Sequence, residues 1–221
     1  KLAMLIEINS ETDFVAKSDD FLDYVKQTCD IIADSECMSY EQLMASDNES
    51  IKNDLEILRK NYVTKLGENI QIRRYELFNK ESNSVVGYTH NNKIGALVIL
   101  KNPNQQLSKD ICMQVVASNP LGLDENSIDS EILVKEKEVY KAELDKLNKK
   151  DDIKRNIMEG KIKKFISENT LLNQPFIKDS GLTLNKILKD NEIIYFKRYQ
   201  LGEGIDKKKE DFAEEVYNQI K

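Results

Sequence analysis

Tryptophan is absent from this chain of 221 residues, histidine occurs once, and cysteine and proline occur three times each. The single histidine, His90, leaves no His/Cys cluster for zinc and no imidazole for a serine or cysteine triad, so most hydrolytic chemistries lose their usual base. Cys29, Cys37 and Cys112 are an odd number without C-x-x-C spacing, which argues against a disulfide scaffold. Cys29 and Cys112 stand in apolar-patterned segments and read as buried small hydrophobes. No apolar run approaches the roughly 18 residues of a membrane span, and no basic segment leads into an apolar signal core. A basic surplus is missing too. The formal net charge is −6, whereas general nucleic-acid and membrane binders usually carry the opposite sign. Asp and Glu abound, yet no motif-spaced pair suggests acid/base work, and no cofactor or metal motif is visible. The expectation is a soluble intracellular protein that is not an enzyme, needs no cofactor or metal, and acts on a protein or small molecule.

What the chain does have is 40% hydrophobic residues, enough to close a core, and charge of both signs on a third of its positions. It begins Lys1-Leu2-Ala3, with no initiator methionine, and runs straight into an apolar stretch, which suggests a piece of something longer.

Residues 2–8 read as a strand stopped by Asn9-Ser10. Ser18 is a candidate N-cap, followed by Asp19 and Asp20 in the first turn and by Phe21, Val25, Cys29 and Ile32 at helical spacing. Ser39 with Gln42 resembles a capping box, and a longer helix carrying Ile51, Leu55, Leu58, Tyr62 and Leu66 closes at Gly67. Three strands follow, at 69–78, 84–90 and 93–101. Asn91-Asn92 suits a two-residue hairpin, so the three read as an antiparallel meander. A helix over 107–118 stops at Asn119-Pro120. Residues 132–169 are highly charged, with apolar positions at Tyr140, Leu144, Leu147, Ile153, Ile157, Ile162 and Phe165 split by a polar stretch, and fit an antiparallel helical hairpin. Lys146, Lys149, Lys150 and Lys154 gather near its tip. A short helix at 183–189, a strand at 193–201, a Gly202-Glu203-Gly204 turn and an amphipathic helix at 209–220 complete the chain. The fold class is α+β.

The stretch Ile6-Glu7-Ile8-Asn9-Ser10-Glu11-Thr12-Asp13-Phe14-Val15-Ala16 resembles the E-V-N-C-E-T-D-F-V-A signature of the elongation factor Ts family. Later strings are similar to further family motifs in the correct order. They are Leu66-Gly67-Glu68-Asn69-Ile70 with Arg73-Arg74, Ala117-Ser118-Asn119-Pro120, Glu159-Gly160-Lys161, Gln174-Pro175-Phe176, Leu201-Gly202-Glu203-Gly204 and Asp211-Phe212-Ala213-Glu214-Glu215-Val216. The resemblance covers essentially the whole chain; the family's N-terminal ubiquitin-associated-like module is absent from it.

What the resemblance implies is a fold of antiparallel three-stranded sheets packed with helices in two related subdomains, plus a protruding antiparallel helical hairpin. The expected division is 1–101, carrying the T-D-F-V motif; 102–205, with the hairpin inserted at about 132–170; and a C-terminal helical module, 206–221. The implied function is guanine nucleotide exchange on elongation factor Tu in the bacterial cytoplasm, promoting GDP release by disturbing the magnesium and phosphate site. Thr12, Asp13, Phe14 and Val15 are the implied contact motif, with Phe14 as wedge. Asp13 either caps the following helix or reaches partner groups near the magnesium. Met113 and Gln114 are implied contacts toward the GTPase phosphate loop. The family commonly has histidine where Gln114 stands, and glutamine keeps hydrogen bonding but cannot become charged. Phe212, Ala213 and Val216 would dock on the G domain. The hairpin would serve a homodimer or higher assembly or reach toward tRNA-bearing complexes, or remain a solvated face. Arg73 and Arg74 read as strand residues alternating between core edge and solvent. Rival readings are a binding module of the translation apparatus without exchange activity, and an RNA-binding one that uses the hairpin lysines.

Overall fold

A nearly continuous apolar run makes the first strand, β1 (Leu2–Ser10), which pairs antiparallel with β2 (Ile70–Asn79). Residues 2–79 and 84–205 are described by the computed structural model. Between these strands lie three helices: α1 (Asp19–Ala33), α2 (Tyr40–Ala45) and α3 (Glu49–Leu66). The Ser18 side chain accepts the Phe21 N–H at 3.2 Å, so α1 starts where the sequence places it. Its buried face is Phe21, Tyr24, Thr28 and Ile32, turned slightly from the expected one; Val25 and Cys29 are only half-buried. At α2, Ser39 caps Gln42 N–H, while the Gln42 side chain reaches one residue further back and accepts Met38 N–H at 2.7 Å. Gly67 ends α3 with φ of 74°, a left-handed cap that favours glycine.

The expected meander is not what forms. β3 (Ser84–His90) and β4 (Ile94–Leu100) make a hairpin, but the third strand beside β4 is β7 (Ile193–Gln200), whereas β2 stays with β1. The β3–β4 reversal takes residues 91–93. Asn91 and Asn92 both adopt positive φ, 51° and 54°, and Lys93 N–H closes on His90 O at 3.0 Å before pairing starts at His90 and Ile94. Helix α4 (Gln105–Ser118) packs on β3 and β4 and ends at Asn119 in the left-handed region. Helices α5 (Ser130–Asp145) and α6 (Asp151–Asn169) form the helical hairpin. Its base is laced by Leu121 N–H to Asn169 O at 2.8 Å and Leu171 N–H to Gly122 O at 2.9 Å. A two-stranded ribbon, β5 (Pro175–Phe176) with β6 (Asp179–Thr183), and the short α7 (Leu184–Leu188) precede β7. The fold is α+β with small antiparallel sheets. The expected C-terminal helix, with Phe212, Ala213 and Val216, lies outside the described residues.

Burial divides accordingly. One core gathers around Tyr24, Ile32, Leu43, Ile70 and Tyr75, and another around Val98, Leu100, Ile111, Val115 and Leu184. Leu5, Val85, Leu97 and Tyr199 form a smaller cluster where the two larger sheets meet. Contact there is close enough that a Cβ on Gly95 would lie 2.8 Å from Leu5 Cδ1. Cys37 and Cys112 are buried, and burial pushes the Cys112 thiol up to about 12; Cys29 is half-buried and raised to about 11.

A charged seam runs along the same boundary. Glu7, in mid-strand, accepts Arg73 Nη1 at 2.9 Å, Arg74 Nε at 2.6 Å and the Gly202 N–H at 2.9 Å. Consecutive strand residues normally point to opposite faces, but the β1–β2 register shifts between Glu7 and Ile8 and leaves Arg73 as an extra residue. That bulge brings both guanidiniums to one carboxylate, correcting the expected alternation between core edge and solvent. Arg74 also stacks 4.2 Å over the Tyr199 ring and meets Glu203 at 3.2 Å. On β2, Glu76 accepts the Tyr195 hydroxyl at 2.6 Å and pairs with Lys197 at 2.5 Å. Burial, reinforced by Glu76, raises both the Tyr195 and Tyr199 hydroxyls well above the ordinary phenol range, so they stay protonated donors.

Candidate functional site

The segment after β1 has no glycine or proline, yet it turns sharply because its short polar side chains bond locally. Ser10 Oγ donates to Thr12 O at 2.9 Å, and Ala16 N–H closes on the same carbonyl at 3.4 Å. Val15–Lys17 is a single 3-10 turn that runs into the Ser18 cap of α1. Thr12 N–H donates to Glu68 Oε2 at 2.9 Å and its hydroxyl to Glu68 Oε1 at 2.5 Å, tying the loop to the residue after Gly67.

Phe14 sits at the tip with 83% of its surface exposed. An exposed leucine or valine needs no account, but a phenylalanine ring standing almost wholly in water is the kind of feature that marks a contact surface. Val15 and Ala16 turn inward and pack against the first core. Asp13 is exposed and pairs with Lys17 at 3.0 Å. That hydrogen bond and charge, with Lys93 adding to them, hold the Asp13 carboxyl below the usual aspartate range. Of the two expected roles for Asp13, capping α1 is therefore excluded, because Ser18 fills that position. Behind the loop lies a cleft of about 470 Å³ lined by Asp13, Lys17, Leu22, Lys93 and Tyr199 among others, so the 91–93 turn forms its opposite lip.

The structure gathers Thr12, Asp13, Phe14 and Val15 into one loop and places Met113 and Gln114 elsewhere, on α4. Met113 is half-exposed. Gln114 is 2% exposed: its amide donates to Gln174 Oε1 and Pro175 O, both at 3.3 Å, and its carbonyl accepts Ile177 N–H at 3.3 Å. In the chain by itself both polar atoms of the side chain are bonded internally, to residues 174–177. Sequence reasoning missed Glu68 and Glu7. Glu68 had a readable signal, a carboxylate directly after a helix-stopping glycine; Glu7 had another, a lone charge inside the apolar run Leu2–Ser10. Among the described residues no group of His, Cys, Asp and Glu is placed to hold a metal, and no helix is long and apolar enough to cross a membrane.

Together these features define an α+β protein with an aromatic-tipped loop held out from its surface. Residues 11–203 match the family model described as Elongation factor TS. The chain is 38% identical to Elongation factor Ts of Methylococcus capsulatus, covering 100% of this chain and 76% of that protein. It is 40% identical to that of Alkalilimnicola ehrlichii, over 99% and 75%, and 37% identical to that of Legionella pneumophila strain Lens, over 100% and 76%. The chain belongs to the elongation factor Ts family, and so among the proteins of translation elongation.

Proposed function

We propose that this chain is a guanine nucleotide exchange factor for elongation factor Tu, acting by binding and not by bond chemistry, in the bacterial cytoplasm. The observation that carries the reading is the outward ring of Phe14, on the very motif that the family resemblance marks as the contact. A GTPase grips GDP through phosphate contacts and a magnesium ion that demands near-ideal octahedral geometry, so a small displacement of the groups around it weakens the grip strongly. Phe14 is the wedge, entering a pocket on the G domain beside the magnesium site. Asp13 and Thr12 flank it there, and Val15 supports it from behind. Met113 offers a further contact, and residues 206–221, through Phe212, Ala213 and Val216, dock on the G domain. Exchange is thermodynamic coupling, so the chain must bind the nucleotide-free GTPase more tightly than the GDP-bound one by the factor with which it weakens GDP. The rate of GDP release from elongation factor Tu, with and without the chain, tests this reading.

The hairpin has a second proposed role. α5 and α6 bury only Leu144 and Ile166, leave Val134, Val139 and Ile153 exposed, and border a groove of about 780 Å³ whose apolar lining is Val134, Met158, Ile162 and Ile166. A second copy of the chain is the proposed occupant. Val134→Asp combined with Ile162→Asp should abolish any concentration-dependent dimer in sedimentation, and replacing 144–157 by a short turn should spare exchange. Loss of exchange in a folded deletion would instead place the GTPase on the hairpin.

A further inference from the structure

We propose that Glu68 is the positioning residue that holds Phe14 in its outward pose. The proposal rests on the exchange reading and adds a residue to it. Thr12 is the hub of the loop. Its carbonyl accepts from Ser10 and Ala16, and its hydroxyl oxygen accepts Val15 N–H at 3.4 Å. All of these bonds begin and end within residues 10–16, and the Asp13–Lys17 pair adds one more internal contact. They shape the turn but do not fix it to the body of the protein. Three hydrogen bonds between the loop and the residues just after α3 do so. Glu11 Oε1 accepts Asn69 N–H at 3.3 Å, and Glu68 accepts both the Thr12 N–H and the Thr12 hydroxyl.

Glu68 is suited to this by where it sits. Gly67 N–H closes on Val63 O at 2.9 Å, ending α3 firmly, and Ile70, fully buried, begins β2 opposite Ser10. The carboxylate therefore stands on a backbone fixed on both sides. An ionised carboxylate offers two acceptor oxygens side by side, and charge-assisted hydrogen bonds are the stronger kind. Alanine offers neither acceptor, and glutamine offers only one. Each Glu68 oxygen accepts one bond from Thr12, and through that pair the carboxylate acts on the loop. Phe14, two residues beyond Thr12, inherits the alignment. A ring held in its binding pose spares the complex the cost of ordering it, and a loop that populates that pose only part of the time binds proportionately more weakly.

A double-mutant cycle read in GDP release from elongation factor Tu tests this, with a partner-free measurement beside it. Glu68→Ala should raise the chain concentration for half-maximal stimulation roughly five- to tenfold and leave the plateau rate within about twofold, because the bound loop seats Phe14 normally. In a Phe14→Ala background the same substitution should change little. Glu68→Gln should fall between parent and alanine. A Glu68→Ala cost that is equal in both backgrounds would overturn the proposal, since a residue that merely supports the fold or touches the partner directly gives that result. Separately, 4-fluorophenylalanine at position 14 should show a shifted or broadened fluorine signal on Glu68→Ala without any partner present. An unchanged signal overturns the strut. A parent chain that stimulates no release overturns the exchange reading instead, while the fluorine result still decides whether Glu68 holds the ring.

Discussion

Replacing Phe14 by alanine is expected to cut the stimulation of GDP release at least tenfold while leaving the thermal unfolding curve unchanged. The two halves of that expectation follow from one number. With 83% of its surface in water, the ring contributes almost nothing to the core, so its loss belongs with surface substitutions that move stability by less than about 0.5 kcal/mol. In a complex the same ring would be buried, and burying a phenylalanine side chain is worth roughly 2–3 kcal/mol, with aromatic anchors at interfaces losing about 2–4 kcal/mol on truncation. Each 1.4 kcal/mol is about tenfold, so the ring alone could account for roughly a hundredfold. The remainder of any larger acceleration must come from the other contacts. Unchanged stimulation by a variant with a normal melt would remove Phe14 from the mechanism.

Glu7→Ala should have the opposite signature, a large loss of stability. It would remove the buried carboxylate that two guanidiniums and a backbone N–H share at the boundary between the sheets, and breaking a buried ion pair from one side costs about 3–5 kcal/mol. In a chain of this size that corresponds to a fall in melting temperature of roughly 6–20 °C. The pH dependence has a definite sign. Burial alone would raise the Glu7 carboxyl, but the Gly202 N–H and the Arg73 and Arg74 guanidiniums more than offset it, and the folded value lies below the ordinary 4.5. A lowered carboxylate contributes stability that is complete above its unfolded value and is lost as the pH falls through the folded one. The gap in melting temperature between parent and variant should thus be full at pH 6–7 and narrow below about 4.5. A variant that melts within about 2 °C of the parent at neutral pH would show that the seam does not hold the sheets together.

Much of the local structure was legible because its causes are local. Ser18 caps α1 and Gly67 ends α3 through bonds and backbone angles confined to a few residues, and the alternation of apolar and charged positions marks the α5–α6 hairpin in the same way. Pairing across the chain was not legible. Nothing near Ile94–Leu100 specifies that its free edge takes a strand some 90 residues later rather than β2, since both candidates carry strand patterns. Arg73-Arg74 misled for a related reason: alternation assumes a regular ladder, and the bulge is visible only once β1 and β2 are in register. The burial of Gln114 was not legible because α4 is covered on more than one side; its apolar residues mark one buried face, and the segment 174–177 covers another. At the loop the motif identified the segment, but the outward ring and the Glu68 carboxylate that ties Thr12 down depend on a contact spanning 56 residues.

The rate at which a fluorescent GDP analogue leaves elongation factor Tu, followed at fixed magnesium while this chain is titrated in, bears most directly on the central claim. Release that accelerates and saturates with chain concentration is the expected result. Saturable binding to elongation factor Tu with the release rate unchanged would contradict it and leave a partner that binds without exchanging.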